Sequence, residues 1–246
     1  MQITTEHVEI PVNGAAMGAH LAYPSEGGSY PAVIVFMEIF GVNSHIRDVT
    51  ERLAREGYVT VSPDFFHRTA PGIELGYTDE DLQKGFAPYG RLQADEMIAD
   101  ARAAIAWLRA REDVRGDRIG CMGFCVGGHM TYLTACETDV AAAASFYGGG
   151  IAGAEGFGGA ESTLGRTGKI RGRILCLFGD RDEYIPAAEA EQIQAELEKH
   201  EIRSECVVYA DVGHGFFCDQ RDSYSEEAAA DAWQKLVALF AEELKG

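Results

Sequence analysis

The segment Arg118-Ile119-Gly120-Cys121-Met122 runs directly into Gly123-Phe124-Cys125-Val126-Gly127-Gly128, and a helical pattern follows over residues 126–136. A strand that becomes a helix through so tight a turn leaves the surrounding chain little freedom. The apolar run has no polar side to show to water, so it belongs in a sheet covered on both faces. The turn itself, Gly-x-Cys-x-Gly, pushes the Cys125 side chain out of the backbone and into a cleft. Gly123 and Gly127 remove side chains that would crowd it.

The rest of the chain alternates in the same way. Residues 6–12 and 16–23 read as two antiparallel strands joined through Val12-Asn13-Gly14, a hairpin signal. Ala32–Phe36 is a buried strand. Residues 46–56 form an amphipathic helix with Ile46, Val49 and Leu53 inward, ended by Gly57. Val59–Val61 is a strand stopped by Pro63. Residues 64–90, rich in Gly, Pro and aromatics, read as an irregular cap or loop region. A helix is expected over 91–111, strands over 141–146, 174–178 and 206–209, helices over 187–199 and 225–245, and a Gly-rich loop over 148–169. Strands alternating with helices imply right-handed crossovers. The expectation is one α/β domain over residues 1–246, with a mostly parallel central sheet and helices on both faces.

Composition narrows the partners. A net charge of −18 and a pI near 4.7 repel phosphates, which disfavours nucleic acid and anionic membranes. The six cysteines show neither C-x-x-C nor zinc-finger spacing, and the histidines show no paired-ligand spacing, so no metal is expected. No basic-then-apolar leader opens the chain, and free thiols suit a reducing cytoplasm. The chain is expected to be a monomer or weak dimer. Gly148–Gly153 fits G-x-G-x-x-G formally. No helical pattern follows it, and the place for a ribose-binding acid falls near Arg171 and Arg173, so no dinucleotide or other cofactor is expected.

Two further segments complete a chemical pattern. Leu177-Phe178-Gly179-Asp180-Arg181-Asp182 follows one strand and supplies an acid, either Asp180 or Asp182. Val212-Gly213-His214-Gly215-Phe216 follows the last strand and supplies a base. The order nucleophile, acid, histidine is that of the α/β-hydrolases. His214 takes the thiol proton or activates water, and the acid orients its imidazole. Phe36-Met37-Glu38-Ile39-Phe40-Gly41-Val42-Asn43 lies where the second oxyanion donor of such enzymes is found. There the Ile39 and Val126 N–H groups would hold a developing negative oxygen. Glu38 is costly at the end of a buried strand unless it has a role. His129, one turn beyond Cys125, reads as a packed helix residue.

Together these segments resemble the dienelactone hydrolase (carboxymethylenebutenolidase-like) family. The resemblance runs from about residue 4 to the C-terminus and includes Val61-Ser62-Pro63-Asp64, Arg68–Gly72, Phe146-Tyr147-Gly148 and Asp182–Pro186. It implies a single-domain α/β-hydrolase fold and a Cys125, Asp182, His214 triad, preferring Asp182 to Asp180 because the family's acid precedes an Ile/Val-Pro run. It also implies that Glu38 holds the resting thiol and takes its proton when substrate binds. The family's two substrate-binding arginines have no counterpart here: Cys218 stands at one position and the vicinity of Gln83 at the other. Arg91 and Arg221 are the candidate replacements, with Phe40 and Tyr147 as further substrate contacts.

The activity expected is that of a cofactor-free hydrolase cleaving a lactone or activated carboxylic ester through an acyl-enzyme. A general carboxylesterase or thioesterase, and a non-catalytic binding or redox protein that uses Cys125 as an oxidisable thiol, are the alternatives.

Overall fold

The computed structural model describes residues 1–246. Eight strands form one sheet: β1 (Ile3–Val12), β2 (Ala15–Pro24), β3 (Tyr30–Phe36), β4 (Val59–Pro63), β5 (Val114–Phe124), β6 (Ala142–Phe146), β7 (Arg173–Gly179) and β8 (Ser204–Tyr209), in the order β1-β2-β4-β3-β5-β6-β7-β8. From β4 to β8 every pairing is parallel. β2 runs antiparallel to β1 and β4. The hairpin turn sits at Asn13 and Gly14, both with positive φ, as two-residue hairpins require. The fully buried runs on β3, β4 and β6 follow from cover on both faces.

Neighbouring residues of β5 show the two layers. The Cys121 sulfur reaches the Thr131 carbonyl of α4 (Val126–Glu137). A side chain at Gly120 would instead meet Leu244 and Phe240, at and just beyond the end of α6 (Glu226–Phe240). Successive strand residues point to opposite faces, so α4 and α6 cover opposite sides. α3 (Ala94–Arg109) packs on α4. On the other side, Arg52 of α1 (Ser44–Arg55) lies over the ring of Trp233 in α6, 4.0 Å from its centroid. α5 (Ala187–Lys199) packs on β8 and on the short 3-10 segment Leu164–Lys169.

The main departure from expectation lies in residues 64–90, which contain a regular helix, α2 (Asp79–Tyr89). Its start is fixed by a capping box, with the Thr78 hydroxyl accepting from Asp81 N–H and the Asp81 carboxylate accepting from Thr78 N–H. The Gly and Pro of this stretch do not break it: Pro88 stands in the last turn. Gly85 is needed for contact: a Cβ there would lie 2.7 Å from the Ile39 carbonyl oxygen. Elsewhere the differences are at element ends. Strand β4 includes Pro63, β5 begins at Val114 and β8 at Ser204, and a π-turn over Ala241–Lys245 ends the last helical stretch.

The close approach at the β5–α4 junction leaves no room for side chains. A Cβ on Gly127 would lie 2.5 Å from both the Met37 and Phe36 carbonyl oxygens. Gly127→Ala is expected to cost about 1–3 kcal/mol, the usual penalty of forced overpacking, measured by chemical denaturation. Unchanged stability would contradict the packing described.

Candidate active site

Cys125 caps α4 with φ 57° and ψ −121°, a backbone conformation rare for a residue with a side chain. Its own N–H donates to the Phe146 carbonyl, and its carbonyl accepts from Gly128 and His129 N–H. The thiol is therefore presented at the start of a helix, where unpaired N–H groups favour negative charge.

Asp182 follows β7, and its Oδ1 accepts from the N–H groups of Tyr184 (2.8 Å) and Ile185 (3.1 Å). That leaves Oδ2 to bond His214 Nδ1 at 2.7 Å. Asp180 instead accepts from Val212 N–H and serves the turn. Cys125 and His214 line the same cleft. Tyr147 and Tyr184 flank the ring edge-on, each with its centroid 5.0 Å away. Burial alone would drive the proton off His214. Interactions with Cys125 and Asp182 outweigh burial, and the imidazole is pushed up to about 10.

Glu38 is fully buried at the end of β3. Its Oε2 accepts from the Tyr77 hydroxyl (2.9 Å) and its Oε1 from Arg221 Nη1 (3.2 Å). Both oxygens are thus engaged away from the thiol, and no Glu38–Cys125 hydrogen bond forms. This corrects the expectation that Glu38 holds Cys125. The reason is electrostatic: a buried carboxylate pairs first with the guanidinium within reach. Burial and the Glu38 charge push the Tyr77 hydroxyl far up, so it stays a donor.

Ile39 N–H has no acceptor in the protein, and Val126, as the first residue of α4, has none within its helix. A cleft of ≈ 320 Å³ opens in front of them, lined by Ile39, Phe40, Leu82, Phe86, Tyr89 and Phe157, with Cys125, His214, Tyr184 and Arg221 at its reactive end. Arg221 and Phe40 are therefore in the cleft. Arg91 is not: it lies exposed in the turn between α2 and α3, because α2 ends just before it and carries it past the rim. Tyr147 is fully buried behind His214 rather than lining the cleft. His129 is held at both ring nitrogens by the Gly149 carbonyl and the Thr163 hydroxyl, and burial pushes it down to about 4.

Tyr77 and the wall from α2 were missed from sequence. The wall had a legible trace: Leu82, Phe86 and Tyr89 recur at i, i+4 and i+7. Tyr77 had none.

The dienelactone hydrolase family model matches residues 17–244. The chain belongs to the dienelactone hydrolase family. A Synechocystis sp. protein named "Putative carboxymethylenebutenolidase" is 46% identical over 100% of this chain and 99% of its own. A Bradyrhizobium sp. protein named "Probable 2-oxo-3-(5-oxofuran-2-ylidene)propanoate lactonase" is 30% identical over 96% and 93%. The crystal structure of a "Putative Dienelactone Hydrolase" from Klebsiella pneumoniae superposes with a TM-score of 0.89 at 32% identity, covering 98% of this chain and 100% of that one. The chain is thus a dienelactone hydrolase-like hydrolase on an α/β-hydrolase fold. No helix is long and apolar enough to cross a membrane.

The raised His214 value gives a signed pH prediction. The folded value near 10 exceeds the ordinary 6.5, so the stabilisation from the bound proton is complete below pH 6.5 and is lost as pH rises through 10. Cys125→Ala removes the first of the groups that hold that proton. An NMR titration of the His214 imidazole is expected to give a clearly lower midpoint in this variant. The loss of stability between pH 6.5 and 10 should be shallower as well. An unchanged midpoint would separate the thiol from the imidazole.

Proposed function

We propose that this hydrolase cleaves uncharged lactones or activated carboxylic esters through a covalent intermediate on Cys125, with no cofactor. The observation that carries the proposal is the Asp182–His214 bond of 2.7 Å, on an imidazole that lines one cleft with the thiol at the start of α4.

The chemistry follows from the charges. The Cys125 thiolate attacks the acyl carbon, and the carbonyl electrons move onto oxygen, facing the Ile39 and Val126 N–H groups. Collapse of this intermediate expels the alkoxide or enolate, which takes the proton from His214. A thioester remains. The thiolate charge has then gone, and with it one of the two supports for the imidazolium. Burial now dominates, and His214 becomes the base that draws a proton from water. Hydroxide attacks the thioester, the thiolate leaves, and the acid is released.

A thiolate is also a good leaving group. Acylation succeeds only when the ester's own leaving group departs about as easily, which favours enol lactones and aryl esters over alkyl esters. The cleft adds a second preference. Arg221 is its one arginine or lysine, and Glu38 already neutralises it; the His214 imidazolium is paired with Asp182, and the walls are aromatic or aliphatic. Transfer of a substrate carboxylate into such surroundings is costly. The α2 helix caps this cleft with Leu82, Phe86 and Tyr89.

Cys125→Ala is expected to abolish turnover of aryl esters and lactones, and mass spectrometry of the wild type during turnover should find one acyl group on Cys125. Full activity in the variant would remove the mechanism. Neutral lactones are expected to exceed carboxylate-bearing ones of equal size by roughly tenfold or more in kcat/KM. Equal values would show that Arg221 is free to bind an anion.

A further inference from the structure

Cys218 lies on the turn between His214 and Arg221, fully buried, and takes no part in the chemistry above. His45, in the first turn of α1, faces the same place. Its ring is fixed beside Phe124 and Phe217, with centroids 5.3 and 6.2 Å away. His45 is 3% exposed, and its Nε2 is sealed from solvent with no hydrogen-bond partner. A buried ring nitrogen left so costs about 1–3 kcal/mol. Asp219 follows Cys218 and is exposed. One imidazole nitrogen, the Cys218 sulfur and a carboxylate oxygen of Asp219 all lie within 4.8 Å of one another.

An opening of ≈ 350 Å³ leads from the surface to His45 and Asp219. Asp48, Asp219 and Glu226 line it against one cation, Arg52, which is engaged over Trp233. The path is therefore anionic.

We propose that His45, Cys218 and Asp219 form a binding site for a borderline-soft divalent transition-metal cation of the zinc type. Imidazole nitrogen, thiolate and carboxylate form a donor set that zinc accepts, whereas magnesium and calcium want oxygen alone. Metal–ligand bonds of about 2.0–2.3 Å hold tetrahedral ligand atoms roughly 3.5 Å apart, so the three donors must draw in by about 1 Å. Asp219 is free to make that movement. The fourth position is left to water. As the sulfur takes the metal, the Cys218 thiol releases its proton to solvent. The site shares no residue with the Cys125, His214 and Asp182 group and stands or falls apart from the proposed hydrolysis.

The test uses full-length Cys125→Ser protein, so that the nucleophilic thiol contributes no signal. Metal is removed by dialysis against a chelator, and Co²⁺ is titrated in while the sulfur-to-cobalt charge-transfer absorption is followed. One Co²⁺ per chain is expected, displaced by Zn²⁺. Adding Cys218→Ser should remove the band, and Asp219→Asn should weaken Co²⁺ binding by about tenfold or more. Circular dichroism checks that each variant folds. No band in the Cys125→Ser protein, or a band that survives Cys218→Ser, overturns the site. Should Cys218→Ser fail to fold, Asp219→Asn decides alone, and unchanged Co²⁺ affinity overturns it.

Discussion

The strained backbone of Cys125 organises everything around it. A residue at φ 57° is held against a cost of order 1–3 kcal/mol, so its surroundings must over-determine it. They do so from the two strands neighbouring β5. β6 supplies the Phe146 carbonyl to the Cys125 N–H. β3 presses its last carbonyls against Gly127, and Gly128 meets the backbone of Phe146 and Gly148. The close approach that fixes the thiol also brings the loop after β3 beside the start of α4. The Cys125 thiol and the Ile39 and Val126 N–H groups are thus set by one packing event rather than by separate ones.

The second principle of the site is compensation of buried charge. The chain carries a formal charge of −18, yet its centre holds the two buried carboxylates of Glu38 and Asp182. Asp182 is neutralised by two backbone N–H groups and the imidazole. Glu38 is neutralised by Arg221 and Tyr77. Each anion has its own partners, so their mutual repulsion does not unfold the cleft.

The sequence was legible where function and local structure coincide. The turn around Cys125 needs glycines at fixed offsets, and Asp182 and His214 follow apolar strands, so all three proposed residues could be singled out from their neighbours in sequence. The proposed oxyanion donors, Ile39 and Val126, were read from the same strand ends. What failed depended on distant contacts. Residues 64–90 looked irregular from their Gly and Pro content, because the reason for Gly85, the Ile39 carbonyl, lies far away in the chain. Arg91 was chosen by nearness in sequence, but the helix before it turns it outward. Tyr147 was placed among substrate contacts, yet its φ of 38° and its packing bury it behind the imidazole. The resting partner of Glu38 was mistaken for the thiol because neither Tyr77 nor its position is marked by any pattern.

The double anchoring of Glu38 has an evolutionary consequence. Its two partners come from separate surface segments, one before α2 and one before α6. Replacing either would strand a carboxylate in a dry interior, so neither segment can drift alone. The apolar wall on α2 bears no such bond and can be exchanged residue by residue. Diversification of this scaffold toward new substrates is therefore channelled through Leu82, Phe86 and Tyr89, while the opposite rim stays frozen.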